Sequence, residues 1–265
     1  MILRKYRDIK NIYGLYLEYS RLFKNANKMM WCIINKKNIR ELTLMNGIRF
    51  KAPHDNTLLH MTYEVFIKNI YLPNYLSIGA NDIVVDIGAN IGLFSIFAAK
   101  FTRNKIYAIE PHPGNIKYLK ENITLNNFQN NIKICPVAIS DYTGFKRLYL
   151  SEISGGHLLF DHNINGSLVE YIKVKTKTLQ QIIDENSLEK IDYLKMDCEG
   201  SEGHILKSTP QKYLQKIRTI VMEFHNNVSI LNHNQIIDIL SDSGYKCNLN
   251  WDNKSEFGYI FATRC

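Results

Sequence analysis

The sequence lacks the patterns that mark several large protein classes. Its five cysteines, Cys32, Cys135, Cys198, Cys247 and Cys265, form no C-x-x-C pair and have no histidine cluster beside them. That argues against a zinc site or a disulfide framework and fits a reducing, cytoplasmic location. The N-terminus, MILRKYRDIKNIYGLYLEYS, has no uninterrupted apolar stretch of the kind a signal peptide carries. No apolar run reaches the roughly 20 residues that a membrane-spanning helix needs. Internal repeats, low-complexity tracts and long linkers are absent as well.

What remains is an ordinary globular composition in 265 residues, enough to bury one α/β domain with an appendage. The formal net charge of +8 permits an anionic partner such as nucleic acid, a lipid surface or an anionic glycan. The excess is spread along the chain, so a solvated basic surface is the simpler reading. Nothing in the chain fixes an oligomeric state.

Residues 1 to about 40 read as helical, and Asn46-Gly47 marks a hairpin within 42–51. We treat 1–57 as an N-terminal helical and hairpin extension and 58–265 as the main domain. An amphipathic helix over 58–72 leads into it. From about residue 82 strands and helices alternate. Strands are expected at 83–88, 105–111, 132–140, 191–197 and 217–224. Helices are expected at 92–101, 113–126, 179–186, 201–213 and 233–243. Two strand-like runs around Ser154-Gly155-Gly156-His157 make 145–175 a β-rich insertion near the site. Residues 245–250 and 257–264 suit a terminal antiparallel pair. Such alternation predicts a doubly wound, mostly parallel twisted sheet with helices on both faces.

In that architecture a ligand sits beyond the carboxyl ends of the strands. The first strand ends at Asp86 and runs into Gly88-Ala89-Asn90-Ile91-Gly92. Gly88 and Gly92 allow a sharp turn and a close backbone approach. The spacing differs from the G-x-G-x-x-G of dinucleotide sites, because Asn90 stands where the middle glycine belongs. Asp86 would repel a phosphate but suits a ligand carrying an ammonium and a sulfonium. Glu110 ends the second strand, 24 residues after Asp86, where an acidic residue bonds a ribose diol. Together these favour S-adenosylmethionine (SAM) as the bound cofactor. Pro111, Asn115, Ala138 and Asp141 follow the second and third strands and are further candidates for the adenosine side of the pocket.

At this point the chain resembles the FkbM family of class I SAM-dependent methyltransferases. The matching pieces are VVDIGANIGLFSIFAAK (84–100), AIEPHPGNIKYLKENITLN (108–126), PVAISDYTG (136–144), SGGH (154–157), LKMDCEGSE (194–202), MEFH (222–225) and YIFATR (259–264). The resemblance covers roughly residue 60 to the C-terminus. It implies a Rossmann-like class I methyltransferase fold, SAM as cofactor and O-methylation of a sugar or natural-product hydroxyl. Cys198 stands where family members commonly carry a small aliphatic residue.

Methyl transfer needs donor and acceptor held in line, and a hydroxyl acceptor needs a base. Asp197 and Glu199 follow the fourth strand, on the same edge as Asp86 and Glu110. Asp197 is the leading candidate for base or acceptor positioning, with Glu199 beside it. Either one instead caps the next helix or holds the cofactor's amino group in the alternative reading. His225 and His157 are further candidates for base or orienter. No metal-ligand spacing accompanies them. The expected partner is a small-molecule or glycan hydroxyl acceptor. An RNA methyltransferase is the competing reading, invited by the charge. The residues after the fourth strand, Asp197-Cys198-Glu199-Gly200, argue against nucleic acid because they offer no stacking aromatic and add negative charge. A non-catalytic SAM-binding module in a glycan-assembly complex is the third reading.

Overall fold

A computed structural model describes residues 9–53, 57–151, 157, 159 and 170–264. Helices α1 (Ile9–Leu22) and α2 (Ala26–Ile34) precede a hairpin of β1 (Glu41–Thr43) and β2 (Arg49–Lys51). Helix α3 (Leu58–Tyr63) passes into a π-helical turn, Glu64–Lys68. The alternating region contains β3 (Val84–Ile87), α4 (Leu93–Ala98), β4 (Ile106–Ile109), α5 (Pro113–Leu125), β5 (Ile132–Cys135), β6 (Ala138–Ile139), β7 (Gly144–Tyr149), β8 (Tyr171–Lys177) and α6 (Leu179–Glu185). Then follow β9 (Ile191–Met196), α7 (Glu202–Ser208), α8 (Gln211–Leu214), β10 (Ile217–His225), α9 (His233–Asp242), β11 (Lys246–Asn250) and β12 (Phe257–Thr263).

The main sheet runs β11-β12-β10-β9-β3-β4-β5. Strands β5, β4, β3, β9 and β10 are parallel, and β12 and β11 close the other edge antiparallel. Strand β3 is buried throughout, as its β-branched run demands. The strand order reverses at the β3–β9 boundary, because β4 follows outward from β3 on one side and β9 lies on the other. That reversal is where open α/β sheets bind ligands.

Successive side chains of each strand feed two apolar layers on opposite faces. One holds Val85, Ile87, Leu194, Met196, Ile220 and Phe224 with α7 and α9 residues such as Ile205 and Ile236. The other holds Val84, Ile96, Phe97, Ile106, Tyr193 and Val221. This second layer continues without a break into Phe23, Met29, Phe50 and Leu58 of the N-terminal elements. Local signals set the helix ends. Pro113 occupies the first turn of α5, where a missing N–H costs nothing. Asn232 and Gln235 form a reciprocal capping box on α9.

Several expected elements divide. The strand expected over 132–140 is two strands in two sheets. Pro136, which cannot donate to a ladder, separates β5 in the main sheet from β6 in a second sheet of order β6-β8-β7. The helix expected over 201–213 breaks at Thr209-Pro210 into α7 and α8. The helix expected over 58–72 ends earlier, where Asn69 turns left-handed at φ 52°. The β-rich insertion appears as the antiparallel pair β7 and β8. Ser154, Gly155 and Gly156, most of the run from 158 to 169, residues 1–8 and Cys265 lie outside the described residues. The four described cysteines are free thiols. No helix among the described residues is long and apolar enough to cross a membrane.

The hairpin is pinned to α5 by Asn122, which is fully buried. Its Oδ1 accepts from Lys51 N at 2.8 Å, and its Nδ2 donates to Lys51 O and Ile91 O, both at 2.9 Å. Asn122→Ala removes three bonds and strands their backbone partners. We expect a loss of about 2–3 kcal/mol, read from denaturant midpoints at constant slope.

Candidate active site

The loop after β3 adopts its shape through left-handed residues. Gly88, Asn90 and Gly92 have φ of 75°, 50° and 92°. Gly88 has no room for a side chain, since a Cβ there would lie 1.8 Å from the Asp197 carbonyl oxygen. Gly92 is needed for packing, since its Cβ would lie 2.5 Å from Leu119 Cδ1. Gly88 N and Ala89 N both donate to Ile109 O, which ties the loop to the end of β4.

The loop borders a cavity of about 270 Å³. At one end Glu110 Oε2 accepts from Asn90 N at 2.9 Å. Its Oε1 accepts from His112 N at 2.9 Å and Asn115 Nδ2 at 3.3 Å. Burial raises Glu110 to about 7 against the pull of those hydrogen bonds. Pro111, Asn115, Ala138 and His157 line the cavity too. His157 Nδ1 accepts from Ser151 N at 3.0 Å, and its ring stands 4.4 Å from that of His112. His157 is thus brought to the Glu110 end rather than beside Asp197.

At the other end Glu64, Asp197, Glu199 and Glu223 line the wall, with Tyr71 and Lys195. Tyr71 Oη donates to Asp197 Oδ2 at 2.7 Å. Lys195 Nζ lies 3.9 Å from the same oxygen. It donates to Gly88 O at 2.8 Å and pairs with Asp86 Oδ1 at 3.2 Å. Glu199 is pushed up to about 8 by burial and by the Asp197 charge, against the pull of His225. Glu223 reaches about 9 for the same two causes. Burial disfavours the charged form of His225, but the Glu202, Asp197 and Glu199 carboxylates outweigh it and hold the imidazole up at about 9.

Of the residues singled out in the sequence, nine share this cavity: Gly88, Asn90, Glu110, Pro111, Asn115, Ala138, His157, Asp197 and Glu199. Four do not line it. Asp86 is fully buried beneath the loop, accepting from Ser95 Oγ at 2.6 Å and facing Lys195, so its charge is spent inside the protein rather than on a ligand. Gly92 opens α4 against Leu119. Asp141 points away to Lys146 and Ser140, both at 2.7 Å from its Oδ1. Burial opposes its ionisation, yet those bonds bring it down to about 2. His225 sits behind the acidic wall, 3.6 Å from Glu199 and 3.7 Å from Glu223. Sequence reasoning missed Glu64, Tyr71, Lys195 and Glu223. Lys195 and Glu223 left a visible sign, a charged residue inside the apolar strands IDYLKM and IRTIVMEFH.

Residues 86–247 match the family description "Methyltransferase FkbM domain". The chain belongs to the FkbM methyltransferase family. It is 25% identical over 235 residues to the 31-O-demethyl-FK506 methyltransferase FkbM of Streptomyces tacrolimicus, covering 78% of this chain and 89% of that protein. It is 26% identical over 251 residues to the AMB antimetabolite synthetase AmbE of Pseudomonas aeruginosa, of whose length it spans only 12%. A shorter match, 32% over 146 residues, covers 52% of this chain and 40% of tRNA (guanine(37)-N(1))-methyltransferase Trm5b of Methanocaldococcus jannaschii. The crystal structure of methyltransferase FkbM from Methylobacillus flagellatus superposes with a TM-score of 0.50 at 15% identity, covering 97% of this chain and 59% of that one. The fold is that of the Rossmann-like SAM-dependent methyltransferases.

The residues present fit SAM. The missing Cβ of Gly88 keeps the loop tight against Asp197, and Asn90 offers a buried Oδ1 with no protein hydrogen-bond partner among the described residues. Asn90 Oδ1 would be open to a donor group of the cofactor, and Glu110 would be the acceptor for its ribose.

Two outcomes test this site. Gly88→Ala should abolish SAM binding in calorimetry or prevent folding, because the clash is with backbone. The ligand-free protein should melt at lower temperature as pH rises from 7 to 9. Glu199, Glu223 and His225 all bind protons more tightly folded than unfolded. Stability they contribute in the protonated form is therefore lost on the way up. Glu223→Gln should flatten that slope.

Proposed function

We propose that this methyltransferase acts on the hydroxyl oxygen of a sugar, glycan or natural-product acceptor, with Asp197 as the base that receives the hydroxyl proton. The observation that carries this reading is the placement of Asp197. Its carboxylate faces the cavity, is oriented by Tyr71 and lies next to Lys195, while its backbone N donates to Ile87 O at the end of β3. Fixing a base in this way lowers the cost of deprotonating an alcohol as it attacks. SAM supplies an electrophilic methyl group on a sulfonium. As the sulfur–methyl bond breaks and the oxygen–methyl bond forms, Asp197 would take the hydroxyl proton, with Tyr71 and Lys195 keeping its carboxylate aimed.

The O-methyl assignment rests on two supports. The FkbM relative of Streptomyces tacrolimicus is named as the methyltransferase of 31-O-demethyl-FK506. The acidic wall of Glu64, Asp197, Glu199 and Glu223 suits a neutral or cationic acceptor and opposes a phosphate backbone. That wall weighs against an RNA acceptor despite the similarity to Trm5b. We place the protein in the cytoplasm, the compartment its free thiols suit.

Asp197→Asn should lower methyl transfer by at least about a hundredfold while SAM affinity changes less than about threefold, the signature of a general base. The measurement is single-turnover transfer across a panel of hydroxylated sugars and natural products. Transfer at the wild-type rate in Asp197→Asn would falsify the base assignment. Transfer only to RNA would overturn the acceptor class.

A further inference from the structure

We propose that the acidic end of the cavity is a charge filter that makes the protein bind SAM in preference to its product, S-adenosylhomocysteine. The two molecules differ by one methyl group and one positive charge. Transfer turns the sulfonium into a neutral thioether.

Glu110 and Asn115 occupy one end of the cavity, and Glu64, Asp197, Glu199 and Glu223 the other. A donor whose ribose meets Glu110 has only the second end for its sulfonium. The carboxylates there come from separate elements. Glu64 sits in the π-helical turn, Asp197 and Glu199 follow β9, and Glu223 lies in β10. The nearby cations are already engaged. Lys195 pairs first with Asp86 and the Gly88 carbonyl and reaches only Asp197 of the wall, at 3.9 Å, and His225 faces Glu199, Glu202 and Glu223 from behind. Among the described residues, six carboxylates (Glu64, Asp86, Asp197, Glu199, Glu202 and Glu223) therefore face two cations, and the excess is held in part as protons on Glu199 and Glu223 that a bound sulfonium would displace. Burial strengthens the effect, since a charge pair inside a cavity interacts far more strongly than in water. The raised proton affinities of Glu199 and Glu223 are a second sign of this excess. A sulfonium answers that excess and a thioether does not. One methyl group's packing is a small effect beside it.

The test needs no acceptor, so its outcome is separate from that of the O-methyl assignment. Calorimetric titration of the full chain at pH 8 compares SAM, S-adenosylhomocysteine and sinefungin, whose amine puts a positive charge where the sulfonium would be. SAM should bind at least about tenfold more tightly than S-adenosylhomocysteine, and sinefungin within about threefold of SAM. Glu64→Gln and Glu223→Gln should each bring SAM closer to S-adenosylhomocysteine while leaving the affinity for the latter within about threefold. Equal binding of SAM and S-adenosylhomocysteine overturns the proposal. So does sinefungin behaving like the thioether, or a ratio that survives both substitutions. If Glu223→Gln fails to fold, Glu64→Gln and the wild-type sinefungin comparison decide. Failure of all three ligands to bind would remove the filter together with the cofactor assignment.

Discussion

A single buried ammonium organises the site. Lys195 stands opposite Asp86 in the parallel register of β9 and β3, and both are almost wholly inaccessible to water. Placing an isolated charge there is prohibitive, so each partner requires the other. Having met Asp86, the ammonium still has protons to donate. It uses one on the Gly88 carbonyl and lies close to Asp197. One side chain thus touches the strand end, the Gly88–Gly92 loop and the residue proposed as base. The tight seat of Gly88 against the Asp197 backbone comes from the same junction.

Around that junction the two ends of the cavity have opposite tasks. The Glu110 end is a hydrogen-bonded network in which the backbone N–H groups of Asn90 and His112 and the side chain of Asn115 converge on one carboxylate. The other end is a crowd of carboxylates that compete for protons. Its electrostatics are set by residues from the π-helical turn, β9 and β10, and no single element supplies it. Tyr71 bridges the segment after the π-helical turn to this end through Asp197, and Tyr193 Oη donates to the Tyr71 carbonyl to hold it there.

Most of the fold was legible because its signals are local. The buried run of β3, Pro113 at the start of α5 and Asn46-Gly47 in the hairpin each act within a few residues. The candidate site was legible where family motifs coincide with strand ends, as at Glu110 and Asp197. It was illegible where meaning depends on pairing. Asp86 read as a ligand carboxylate because nothing in the sequence shows that Lys195 lies beside it on the neighbouring strand. Tyr71 and Asp197 meet across 126 residues. Glu64 reaches the cavity through a helical irregularity that no periodicity announces. The split of 132–140 had a visible marker in Pro136, but the second sheet it leads to did not.

That split has a consequence for how the protein can change over time. The floor of the cavity belongs to the main sheet, whereas Ala138, Ile139 and Leu148 on its roof belong to β6 and β7 of the small one. Only Pro136 and Val137 join β5 to β6. Ala138 and Leu148 pack in a small cluster of their own with Val174, so mutations there need not disturb the ladder that holds Lys195 and Asp86, whereas Ile139 packs into the main-sheet core. The two layers are free to evolve at different rates, so one lineage can keep the donor's seat and exchange its ceiling for another guest.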